Sequence, residues 1–250
     1  SRLLEENPIG VLQYSVTEGY PQLRETLKEY MKSHHNIGRD FDDILITTGA
    51  QQIMDLATKS LVNEGDVVIT EAPSFIGSLN TFRSYNAKLV GVKIDDDGMN
   101  MEELEKALQT HKNARFIYTI PNFQNPSGIT MSLEKRKKMY ELAKKYNAAV
   151  YVDEAHGIGV FGNQGRGTCD HFGVTKDVDL IMGTFSKSFA ALGGFIATDS
   201  VTANYLRHNS RSYIFSASIT PASTAAVNAA LDIMESEPER IEHLWKVTNY

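Results

Sequence analysis

A chain of 250 residues, 42% hydrophobic and 22% charged, has the profile of one large soluble domain able to bury a sizeable core. Its formal net charge of -6, with no basic cluster, argues against nucleic acid as a main partner, because phosphate contacts dominate that affinity. The single cysteine, Cys169, excludes an intramolecular disulfide framework and fits a reducing cytosol; no apolar run approaches a membrane span and no charged-then-apolar leader opens the chain, so a cytoplasmic protein is expected.

Residues 21–35 place Leu23, Leu27, Tyr30 and Met31 at amphipathic-helix spacing behind a proline. A regular alternation follows. Strands are predicted at 44–48, 67–70, 88–94 and 115–120, and helices at 50–62, 75–85 and 101–111. Ser132 is expected to cap a charged helix that runs to Tyr146, supported by a Glu134–Lys138 pair at i, i+4, its charge run forming a solvated face. Buried strands read at 148–153 and 178–182, followed by strand residues 195–197, a helix at 201–208, a short strand at 213–215, a long helix at 221–235 and a last helix opened by Pro238. Strands alternating with helices of this length imply right-handed crossovers and a mainly parallel sheet. No repeat, linker or low-complexity segment interrupts 1–250, so a single domain is expected.

Two strand ends carry the chemistry. The apolar run Val178-Asp179-Leu180-Ile181-Met182 delivers Lys187, in Gly183-Thr184-Phe185-Ser186-Lys187, to the kind of strand end where open α/β sheets bind ligands. Burial there lowers a lysine's pKa, and a lysine so tuned is the usual amine for a Schiff base. A second buried strand, Ala149-Val150-Tyr151-Val152-Asp153, ends in a carboxylate with His156 three residues on. Thr48-Gly49-Ala50-Gln51-Gln52 joins a strand to a helix whose first N–H groups form a ready anion site.

Some signals are set aside. Gly157-Ile158-Gly159-Val160-Phe161-Gly162 fits G-x-G-x-x-G, yet the glycine-rich 163–167 that follows cannot open the helix a dinucleotide fingerprint needs. Asp153-Glu154-Ala155-His156 is like a Walker B signature, but 183–188 lacks Walker A spacing and comes after it. The histidines show no metal-ligand spacing, and no metal is expected.

Taken together, these motifs resemble the fold-type I pyridoxal-phosphate enzymes of the class I/II aminotransferase superfamily. To about residue 140 the chain resembles class I aminotransferases, in G-Y-P-Q-L-R-E, T-T-G-A-Q-Q, E-A-P-S-F and P-N-F-Q-N-P-S-G. The remainder, in D-E-A-H-G-I-G-V-F-G, G-T-F-S-K-S-F-A-A-L-G-G-F-I-A and Y-I-F-S-A-S, resembles the α-oxoamine synthases, the group of serine palmitoyltransferase and glycine C-acetyltransferase. The resemblance implies a three-layer α/β/α fold on a mainly parallel mixed sheet, with pyridoxal 5'-phosphate held by Lys187 as an aldimine and its pyridinium nitrogen paired with Asp153. It further implies that Ala50, Gln51, Thr184 and Ser186 hold the phosphate, that Phe75 stacks on the ring, that Asn125 donates to the phenolic oxygen and that His156 contacts a cofactor oxygen. Tyr14 and Ser216 match residues that reach a neighbouring subunit's phosphate, which implies a homodimer with shared sites.

The match is not complete in either direction. Aminotransferases of the front type carry a tyrosine at His156 and an arginine where Gly193-Gly194 stand; oxoamine synthases carry a histidine at Phe75. Both families continue into a C-terminal small domain with the arginine for the substrate carboxylate, and that domain is expected to be absent here. The chain is therefore expected to be an isolated large domain, spliced or designed with a junction near 140–148, or else a piece of one natural hybrid. The implied activity is weak transfer chemistry on an amino acid, with a keto acid or acyl-CoA as second partner; the alternative is a folded scaffold that binds the cofactor without turnover.

Overall fold

The β-branched runs form strands and the amphipathic runs form helices in a computed structural model of the chain, which describes residues 5, 7–9, 16–35, 42–210, 213 and 216–248. The strands are β1 (Asp42–Thr47), β2 (Val67–Ala72), β3 (Lys88–Asp95), β4 (Gly98–Met99), β5 (Ala114–Thr119), β6 (Ala149–Asp153), β7 (Leu180–Thr184) and β8 (Gly194–Asp199). The helices are α1 (Pro21–His35), α2 (Ala50–Leu61), α3 (Ile76–Ser84), α4 (Met101–Thr110), α5 (Leu133–Tyr146), α6 (Thr168–His171), α7 (Ser200–Asn209), α8 (Pro221–Ser236) and α9 (Glu239–Thr248).

The strands make one sheet in the order β1-β8-β7-β6-β5-β2-β3-β4. From β7 through β6, β5 and β2 to β3 every pairing is parallel, whereas β8 runs antiparallel to both of its neighbours and β4 antiparallel to β3. The reversal at β8 follows from chain length: residues 185–193 are too few for a parallel crossover, which takes about a dozen or more. Apolar residues cover both faces. Leu23, Leu104, Met139, Leu142 and Val227 pack on one side with Val150 and Val152. Ile53, Met54, Phe82 and Leu206 pack on the other with Tyr118 and Tyr151. The period-2 alternation of β6 therefore sends Asp153 to the Tyr151 side.

Three expectations are corrected. Tyr213 is helical rather than extended, and Ile214 and Phe215 lie outside the described residues. Lys138 turns to Glu141, at 3.5 Å, instead of to Glu134. The face of α5 taken as solvated buries Arg136 beside Met139, Leu142 and Ala143. Ser132 does cap α5, accepting from Lys135 N at 3.4 Å.

Candidate active site

The parallel strands β1, β7, β6, β5 and β2 end along one edge, and ladder register levels those ends. Thr47 of β1 and Thr184 of β7 both stand opposite Gly194 of β8. The start of α2 is thereby set beside the end of β7. Gly49 caps α2 with φ 145° and no side-chain cap, a conformation that favours glycine. In place of a cap, Gln52 reaches back so that its Oε1 accepts from Thr48 N (2.8 Å) and Thr48 Oγ1 (3.1 Å). A Cβ at Gly49 would meet nothing within 4 Å, so the helix start opens on free space. The N–H groups of Ala50 and Gln51 belong to the first turn, which the helix ladder leaves without internal acceptors. Across the β8 turn, the hydroxyls of Thr184 and Ser186 lie 2.9 Å apart. The four residues expected to hold an anion are thus gathered at one helix start and one strand end. The Gln51 side-chain amide donates to Thr81 Oγ1 on α3, which leaves its backbone N–H as the group at the helix start.

Lys187 and Asp153 follow the same logic on neighbouring strands. Asp153 is the last residue of β6 and pairs in register with Met182 of β7. It accepts from Ala155 N at 2.9 Å and from Tyr118 Oη at 3.1 Å. Burial raises its carboxyl to about 6, against the pull of those two donors and of the Lys187 charge. Lys187 is exposed, not buried as its strand predicts. The reason is that the strand ends at Thr184 and the chain is then anchored by Phe185 and Phe189, both buried and 5.5 Å apart between ring centres. Those anchors leave 186–188 standing at the rim. The Ser188 hydroxyl fixes that rim by donating to Ile158 O at 2.8 Å.

Phe75 is the N-cap of α3 and half-buried, its ring passing over Gly77, where a Cβ would come within 2.6 Å of it and 3.1 Å of the Gln51 amide oxygen. Asn125 sits half-buried in the loop after β5. That loop is tied to the end of β2 by the buried Gln124, which donates to Pro73 O at 2.8 Å and accepts from Ser127 N at 2.9 Å. His156 is half-buried beside the Phe123 backbone, and burial followed by the Lys187 charge holds its imidazole below the ordinary value. It is therefore neutral at pH 7. Ser216 is exposed, with its N–H bonded to Tyr213 O at 3.3 Å. Tyr14 lies outside the described residues.

The family model described as aminotransferase class I and II matches residues 6–250. The chain belongs to that family. It is similar to a serine palmitoyltransferase of Bacteroides ovatus, 54% identical over 152 residues that cover 60% of this chain and 38% of that protein. It is also similar to aromatic-amino-acid aminotransferase 1 of Thermococcus litoralis, 38% identical over 159 residues covering 62% of this chain and 38% of that protein. Among solved structures, a Sphingomonas wittichii serine palmitoyltransferase superposes with a TM-score of 0.80 at 27% identity, covering 98% of this chain and 59% of the other. The chain thus spans less than two thirds of these relatives' lengths. No helix among the described residues is long and apolar enough to cross a membrane.

This aminotransferase-family site contains polar residues that motif reading passed over. Tyr118 of β5 joins Asp153 to Ser78, whose hydroxyl donates to Tyr118 Oη at 2.9 Å. Glu71 of β2 is 2% exposed and accepts from Thr119 Oγ1 (2.7 Å), Ile120 N (3.0 Å) and Gln124 Nε2 (3.3 Å). Burial raises its carboxyl to about 7 despite those donors, with the Asp153 charge adding to the rise. Behind His156, the two Glu154 oxygens accept from Thr168 N (2.9 Å) and Cys169 N (2.8 Å). Arg136 closes the network from α5, donating to Met131 O, Pro121 O and Asn122 Oδ1, each at 2.8 Å, while the Asn122 amide donates to Thr168 Oγ1. Its guanidinium lies 4.0 Å from the centre of the Phe172 ring. Buried polar groups on this scale persist only when each is satisfied, and here they lock the 154–170 loop that presents His156.

Proposed function

We propose that this chain binds pyridoxal 5'-phosphate and acts through it as a transferase on amino acids. The observation that carries the proposal is the levelled edge itself: an amine and a buried carboxylate at the adjacent ends of β7 and β6, with an open anion cradle on the β1 side of β7. The donor set fits the cofactor part by part. Ala50 and Gln51 N–H with the Thr184 and Ser186 hydroxyls would hold its phosphate, Lys187 its aldehyde carbon, Asp153 its ring nitrogen, Phe75 a ring face, and Asn125 and His156 its phenolic oxygen. When bound, the cofactor supplies an electron sink for the bond being broken at a substrate Cα.

The chain's own residues do the rest. Asp153, ionised opposite a protonated ring nitrogen, holds positive charge where it favours that withdrawal. Lys187 Nζ, exposed at the rim, is placed to take the proton from Cα and to return it. The neutral His156 donates without adding charge. The two resemblances divide on the second substrate: keto acid for the front of the chain, acyl-CoA for the back.

The test is to incubate the cofactor-loaded protein with a panel of amino acids in deuterated water, recording Cα exchange, keto-acid release and, with an acyl-CoA added, free CoA. Exchange that is abolished in Lys187→Ala supports the transferase reading, and the product released separates transamination from acyl transfer. Cofactor retention with no exchange for any amino acid would instead identify a binding scaffold without turnover.

A further inference from the structure

Tyr118 is enclosed at 0% exposure in β5, level with Tyr151 of β6 and Thr70 of β2. Its ring is wedged edge-on against Phe82, 5.4 Å between centres, and tilted against Tyr151 at 6.0 Å. Its hydroxyl has two partners, Asp153 Oδ2 at 3.1 Å and Ser78 Oγ at 2.9 Å, and Ser78 is likewise at 0% exposure. Chemistry sets the direction of this chain of hydroxyls. An ionised carboxylate only accepts, so the Tyr118 proton lies toward Asp153 and the Ser78 proton toward the Tyr118 oxygen. Burial, then the Asp153 charge, push the Tyr118 phenol well up, so it keeps the proton it donates.

We propose that Tyr118, backed by Ser78, is a positioning residue that orients the Asp153 carboxylate and keeps it in its charged form; the role rests on the cofactor reading above. With one Asp153 oxygen on Ala155 N and the other on Tyr118, the carboxylate plane is fixed and lone pairs remain for a ring nitrogen. The groups that act electrostatically on Asp153 are Lys187 beyond β7 and Glu154 next in sequence, with Glu71 of β2 and Tyr151 of its own strand coupled to its charge. Two of these are carboxylates that oppose its ionisation. The relay also starts on α3, the helix whose N-cap is Phe75, so one helix start sets both the ring face and the carboxylate.

Tyr118→Phe keeps the ring packing and removes the hydroxyl alone. In cofactor-free protein carrying 13C-labelled aspartate carboxyls, with the Asp153 signal assigned by its loss in Asp153→Asn, the Tyr118→Phe substitution should raise the Asp153 titration midpoint by roughly one to two pH units, the worth of a hydrogen bond to a charged group. Ser78→Ala should raise it less, and should add nothing in the Tyr118→Phe background, because its effect passes through the lost hydroxyl. An unmoved midpoint in Tyr118→Phe, or a Ser78→Ala effect that survives at full size in that background, would overturn the relay. With pyridoxal phosphate bound, the same variants should shift the pH midpoint of the cofactor's absorption without releasing it. Failure of the cofactor reading is separable: wild-type protein would then retain no pyridoxal phosphate, whereas the carboxyl titration stands or falls without it.

Discussion

Gly194 packs between Gly183 and Gly49: a Cβ on Gly194 would come within 2.7 Å of the Gly183 carbonyl oxygen, closer than a real Cβ sits, and would touch the Gly49 Cα at 3.4 Å. Through this contact the start of α2 is seated on the ends of β1, β8 and β7, which brings the Ala50 and Gln51 N–H groups to the Thr184 and Ser186 hydroxyls. Gly194→Ala should force β8 away from the Gly183 carbonyl of β7 and so disturb the strand ends on which α2 is seated. Overpacking of this kind costs about 1–3 kcal/mol, and pyridoxal phosphate affinity should fall by roughly tenfold as the cradle opens. Thermal melts and a fluorescence titration check it; wild-type stability and affinity would show that the contact does not set the cradle.

The pH dependence of stability follows from the buried carboxyls. Asp153 rises from 3.8 to about 6 and Glu71 from 4.5 to about 7 on folding, both through burial first. A carboxyl raised on folding adds stability below its unfolded value, and that stability is lost as pH climbs through the folded value. Cofactor-free protein should therefore lose stability across about pH 4 to 7, on the order of 3 kcal/mol for each group. Urea unfolding of Asp153→Asn and Glu71→Gln should be flatter over that window and should exceed wild type at pH 8. Parallel profiles for wild type and both variants would contradict the assignment.

The loop that presents His156 rests on Glu154 and Arg136. Glu154→Ala strips the acceptors from Thr168 N and Cys169 N, and removing one member of a buried charged network commonly costs about 3–5 kcal/mol. Hydrogen exchange at those two amides should accelerate more than at the β5 amides. Uniform acceleration would mean global loss of stability with no local role.

Much of the fold, and the placing of Asp153 and Lys187 at the ends of neighbouring strands, were legible in the sequence, and the exceptions have physical causes. Asp153 ends a short buried run and Lys187 follows one by three residues, so strand period and motif agree on which strand ends carry them. Tyr118 was hidden because its alternation in Arg115-Phe116-Ile117-Tyr118-Thr119 reads as core, which it is; only its hydroxyl is chemical, and no sequence pattern shows where a hydroxyl points. Arg136 was hidden inside Glu134-Lys135-Arg136-Lys137-Lys138, yet it shares the i, i+3, i+7 stripe of Met139 and Ala143, a signal that could have drawn it out of the solvated face. The exposure of Lys187 was missed because burial of the strand was extended past its end, where Phe185 and Phe189 take the core positions instead.

Tyr14 and Ser216 were matched to residues that serve a neighbour's site, so a homodimer is proposed, and Ser216 is exposed as such a role requires. Sedimentation should give a dimer that Ser216→Ala leaves intact while lowering pyridoxal phosphate affinity a few-fold. A monomer with wild-type affinity would contradict the shared site.

The most direct measurement is borohydride reduction of the protein loaded with pyridoxal phosphate, followed by peptide mapping. The levelled strand ends predict a single pyridoxyl group on Lys187, absent in Lys187→Ala and still present in Asp153→Asn, whose lost charge tunes the ring without making the bond. A pyridoxyl group on another lysine, or on none, would contradict the assignment of this edge as the cofactor site.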